Sequence, residues 1–137
     1  TLDGANIEIR EAVGQDNFFL FGLDAAGVEA TRRDYRPDRI IESDPELGRV
    51  LHLLESGHFS LFEPGIFDGI VACIRSPHDP WMTAADFPDY LQAQRRAAET
   101  YRDTARWSRM SILNTAYSGR FSSDRTIRHY RDEIWYR

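Results

Sequence analysis

The feature that most limits the fold is the spacing of apolar residues from Asp44 onward, which is helical almost throughout. Asp44-Pro45 reads as an N-cap followed by proline at the first helical position, with Glu46 in the first turn where negative charge complements the macrodipole. Leu47, Val50, Leu51 and Leu54 follow at i, i+3, i+4 and i+7, and Gly57 ends the pattern. Ile66, Phe67, Ile70, Val71 and Ile74 repeat that spacing until Pro77 and Pro80 terminate it, and a loop carrying His78, Asp79 and Trp81 follows. Three more helices are predicted. The first runs from about Asp86 to Tyr101 with Phe87, Tyr90, Leu91 and Ala98 inward. The second runs from about Ala105 to Tyr117 with Trp107, Met110, Leu113 and Tyr117 inward, and Gly119 closes it. The last starts at Ser122 or Ser123, places Ile127, Tyr130 and Ile134 on one face, and has Asp124 near its positive end.

Upstream the pattern changes. Leu2-Asp3-Gly4-Ala5 is short, Asn6 reads as the N-cap of a two-turn helix ending at Gly14, and Asp24 as the N-cap of another that runs through Val28 and Ala30 toward Asp34, broken around Pro37. Between them Asn17-Phe18-Phe19-Leu20-Phe21-Gly22 is an apolar run bounded by turn residues, which reads as a strand buried on both faces, as in a parallel sheet. Its partners are expected near Thr1 or on chain outside these residues. The expected fold is therefore mostly α, with one or two short strands at the edge of an α/β sheet.

Length and composition set outer bounds. The chain has 137 residues, enough for one domain, and 42% apolar with 28% charged residues is the balance of a soluble globular protein. No stretch approaches the roughly 18 apolar residues of a membrane span. No basic segment followed by an apolar one precedes a small-residue cleavage site, so no signal peptide is expected, and the opening Thr1 in place of Met suggests a piece of a longer chain. A net charge of -5 argues against a nucleic-acid partner, because counterion release needs clustered basic charge. Cys73, the lone cysteine, forbids an intrachain disulfide and fits a reducing, cytoplasmic setting. All 17 basic residues are arginine; there is no lysine.

The residues that could carry chemistry form no strong constellation. His52, His58, His78 and His129 show no paired metal-ligand spacing, so no metal is expected. His78-Asp79 reads as a solvated loop pair, and Glu8, Glu11, Asp132 and Glu133 as charged helix faces rather than a catalytic carboxylate pair. Ser122-Ser123-Asp124-Arg125 could receive a phosphate but reads first as a helix cap. Trp81, Trp107 and Trp135 could stack on sugar rings, with helix packing the plainer role. Asp3-Gly4-Ala5-Asn6 lacks the G-x-G-x-x-G pattern of a dinucleotide turn.

Two long runs add what the spacings do not. Thr1-Leu2-Asp3-Gly4-Ala5-Asn6-Ile7-Glu8-Ile9, continuing through Glu11-Ala12-Val13-Gly14 and Asn17 to Gly22, resembles the late C-terminal region of glycogen and starch phosphorylases. Ser118-Gly119-Arg120-Phe121-Ser122-Ser123-Asp124-Arg125-Thr126-Ile127, then Tyr130 and Ile134-Trp135, resembles the end of the same family. Between them Pro45-Glu46-Leu47, Gly57-His58-Phe59-Ser60, Asp86-Phe87 with Tyr90, and Trp107 with Met110 fall in the expected order.

The resemblance implies a two-domain glycosyltransferase (GT-B-like) fold with paired Rossmann-like domains. Residues 1–137 would form the C-terminal part of the C-terminal, cofactor-binding domain. It implies phosphorolysis of an α-1,4-glucan to glucose 1-phosphate, pyridoxal phosphate held as an imine on a lysine, the rest of the phosphorylase chain as a partner, and a homodimeric parent. The family's cofactor lysine segment lies just upstream of the match to Thr1, and this chain has no lysine, so no catalytic, cofactor-binding or metal-binding residue carries over to it. Asp3, Gly4 and Asn6 match the family motif and are read as the turn from a sheet strand into a helix. On this reading the 137 residues alone are inactive. The competing reading is a non-enzymatic helical protein-interaction module, and a lysine with a Gly-rich turn before Thr1 separates the two.

Overall fold

The computed structural model describes residues 4–136. Eight α-helices account for most of them: α1 (Ala5–Val13), α2 (Ala25–Arg32), α3 (Pro37–Ser43), α4 (Pro45–Glu55), α5 (Asp68–Arg75), α6 (Thr83–Arg102), α7 (Thr104–Ser118) and α8 (Ser123–Tyr130). Single 3-10 turns occupy Gln15–Asn17 and Gly119–Phe121, and a π-helical turn covers Arg131–Trp135.

Among the described residues there is no strand, so the expected Rossmann-like α/β architecture is not found. The apolar run at 18–21 is extended at Phe18, but helix side chains take the place of strand neighbours. Asn114 donates to the carbonyl of Asn17 at 3.1 Å, and Arg96 donates to that of Leu20 at 3.0 Å. Side chains thus satisfy two carbonyls in and beside the segment where a neighbouring strand is expected to. At the turn into a helix expected at residues 3–6, Gly4, at φ 48°, is the N-cap of α1, and Asn6 lies inside the helix rather than capping it; the strand side of that turn falls on residues 1–3. Leu2 and Asp3 lie outside the described residues.

The remaining helix signals act as local physics requires. Asp24 caps α2 through Gly27 N–H at 2.7 Å, and Asp44 caps α4 through the N–H groups of Glu46 and Leu47 at 3.0 Å each. Asp103 caps α7 through Arg106 N–H, and Ser122 caps α8 through Arg125 N–H. The break expected around Pro37 is there, since α2 stops at Arg32, and Pro37 itself stands at the first position of a further helix, α3.

Two compact units result. In the unit of Phe21–Ala93, α4 lies at the centre. Its Leu47 and Leu51 are buried with Tyr35, Ile41 of α3, Val71 of α5, and Met82 and Ala84 at the start of α6. Leu51 is 0% exposed, and burial of a leucine of this kind contributes about 2 kcal/mol. In the unit of Gly4–Leu20 and residues 94–136, α1 packs on α7. Val13 and Met110 are buried there, and the Trp107 ring stacks on Phe19 at 6.2 Å and meets the edge of Tyr101 at 5.1 Å.

Several apolar positions expected inside are outside. Ile66, Ile70, Tyr117, Ile127, Tyr130 and Ile134 are all exposed, as is Ala98. In α8 an amphipathic pattern is complete, yet Ile127 and Tyr130 on its apolar face stay exposed, with the Tyr130 ring 6.2 Å from that of Trp135.

Candidate functional site

The most elaborate polar arrangement lies in the Phe21–Ala93 unit, where a tyrosine and two carboxylates gather beneath the start of α6. Asp79 is 1% exposed: one of its oxygens accepts the N–H of Trp81 at 2.9 Å and the other that of Thr83 at 2.8 Å. This double acceptance lets the chain turn into α6 through Met82, a fully buried residue held at φ 52°, a conformation unfavourable for a long side chain. Asp86, also buried, accepts the N–H of Leu23 at 2.9 Å. Gly22 makes that approach possible, because at φ 84° it adopts a left-handed backbone and a Cβ there would overlap the Asp86 carboxylate. The Tyr35 hydroxyl accepts the N–H of Ala84 at 3.3 Å.

Burial pushes the Tyr35 phenol above its ordinary value; the Ala84 N–H opposes the shift, and the negative charges of Asp79 and Asp86 add to it. Between the unfolded value near 10 and the higher folded value, the unfolded chain binds fewer protons than the folded one, so stability falls as pH rises through that window. Tyr35→Phe is expected to abolish this alkaline loss and, at neutral pH, to cost about 1 kcal/mol for the acceptor taken from Ala84 N–H. Urea unfolding at neutral pH and above pH 10 checks both. An unchanged alkaline slope in the variant contradicts the assignment.

As chemistry, this cluster is a structural joint. Asp79 meets backbone donors with both oxygens, and Asp86 meets one with Oδ1. The expectation that His78-Asp79 is a solvated pair holds for His78, which is exposed, and fails for Asp79. Asp79 in a loop bounded by Pro77 and Pro80 is the signal that could have found it, since aspartate readily bonds backbone N–H groups a few residues on.

The other singled-out residues do not converge. His52, His58 and His78 are exposed on separate segments, and His129 meets Glu133 at 3.3 Å, one turn along the chain. Among the described residues no group of three or more His, Cys, Asp or Glu side chains could hold a metal. Glu8 and Glu11 are exposed on α1, while Asp132 is bound by Arg131 at 2.6 Å, whose hydrogen bond holds the carboxyl below its ordinary value. Trp81 and Trp135 are exposed and Trp107 is half-buried in its aromatic stack, so the three indoles belong to three different settings. Open clefts among the described residues include two on separate segments. One of about 280 Å³ is lined by Asn17, Phe18, Phe19, Trp107, Met110, Ser111 and Asn114; another of about 240 Å³ lies along residues 54–57 and 62–68. Neither cleft lining contains a lysine or a histidine. No described helix is long and apolar enough to cross a membrane.

This is a chain whose polar groups hold backbone in place, and comparison with known proteins gives it a family. The model of the carbohydrate phosphorylase family matches residues 1–137, and the chain belongs to that family. It is 46% identical over 136 residues to a glycogen phosphorylase of Synechocystis sp. and 46% identical over 137 residues to the alpha-glucan phosphorylase H isozyme of Triticum aestivum. It is 42% identical over 136 residues to the muscle form of glycogen phosphorylase of Rattus norvegicus. Each alignment covers 98% of this chain but 16% of the relative, so the chain spans about a sixth of the length of these proteins.

Proposed function

We propose that these 137 residues are the C-terminal part of the cofactor-binding domain of an α-glucan phosphorylase. The whole protein would phosphorolyse an α-1,4-glucan to glucose 1-phosphate. The observation that carries this reading is the match of the entire chain, residues 1–137, to the carbohydrate phosphorylase family at only 16% of its relatives' length. The parent then uses phosphate and glucan as substrates and works as a homodimer. A cytoplasmic setting is supported by the single, unpaired Cys73.

Pyridoxal phosphate, the cofactor this reading gives the parent, supplies acid-base chemistry beside the substrate phosphate when bound. The residues of this chain do not fit its attachment, since an imine needs a lysine and none is present. Their contribution is structural. The Tyr35, Asp79 and Asp86 joint fixes the entry into α6, and the exposed face of Ile127, Tyr130, Ile134 and Trp135 provides the surface with which the last helix packs on the preceding domain. No catalytic, cofactor or metal residue is assigned within the chain.

The reading is tested by incubating the 137-residue chain with α-1,4-glucan and phosphate beside the longest polypeptide from the source that contains it. Glucose 1-phosphate is expected from the longer polypeptide and none above background from the chain alone. Production by the chain alone, or by neither, overturns the proposal.

A further inference from the structure

We draw no further inference here: the strongest candidate, the apolar surface patch that the loop at residues 57–63 turns outward through Phe59, Leu61 and Phe62, is an unpartnered face, and nothing in the structure shows what covers it.

Discussion

Asp79→Ala is expected to lower the stability of the chain by about 3 kcal/mol, with the urea midpoint falling and the denaturant slope unchanged. Two backbone donors, Trp81 N–H and Thr83 N–H, lose at once the acceptor that Asp79, itself 1% exposed, supplies. Hydrogen bonds to a charged group contribute about 1.5 to 3 kcal/mol each, and loss of a cap of this kind costs about 1 to 2. Both figures count the same bonds and are not added; about 3 kcal/mol is the lower end for two charged-group bonds and lies above the cap figure. The turn at Met82, with φ 52°, is held in a costly conformation by those bonds, so its release follows from their loss. Asp79→Asn keeps one carbonyl acceptor and should fall between wild type and alanine. A loss below about 0.5 kcal/mol for Asp79→Ala, the range of an ordinary surface change, contradicts the assignment of Asp79 as the joint.

Leu51→Ala should cost about as much or somewhat more, roughly 3 to 4 kcal/mol, by a different route. Leu51 is fully buried at the middle of α4, with Leu47 one turn before it and Tyr35, Ile41, Val71 and Met82 in the same cluster. Truncation removes the transfer free energy of three carbons and leaves a cavity whose walls belong to four separate segments, which limits collapse. Leu51→Met conserves volume and is expected to cost less than about 1.5 kcal/mol. His52→Ala, one residue on and exposed, should stay within about 0.5 kcal/mol. Equilibrium urea unfolding of the three variants checks the order; an equal loss for Leu51→Ala and His52→Ala contradicts the core.

Local signals were legible where the physics is local. Asp24 and Asp44 are short-range caps, and each bonds an N–H two or three residues away, so four or five residues of sequence contain the whole interaction. Pro37 carries two signals: α2 stops ahead of it, at Arg32, as the proline rule expects, and it also opens α3, which that rule does not announce. The segment at 18–21 is ambiguous for a longer-range reason. An apolar run between turn residues looks the same whether its carbonyls meet a strand or a side chain, and here the donors Arg96 and Asn114 stand 76 and 97 residues downstream of the carbonyls they meet.

Amphipathic spacing had a similar limit. It identified α8 as a helix with an apolar face, but periodicity states that a face can be buried and not what buries it; Ile127 and Ile134 remain more than half exposed. The buried joint was invisible as a joint because Tyr35 and Ala84 are 49 residues apart, and Leu23 and Asp86 are 63 apart. The family was legible because two long motifs, one at each end, occur in the right order over a chain that the family matches from residue 1 to 137. The absence of lysine was the most useful single count, since it separates the family's chemistry from the part these residues play in it.

That separation is tested most directly by mass spectrometry of the native polypeptide after borohydride reduction, which fixes any pyridoxal phosphate imine as a stable phosphopyridoxyl-lysine. The account predicts a longer polypeptide bearing one such adduct on a lysine outside these 137 residues. A native polypeptide that carries no adduct contradicts it.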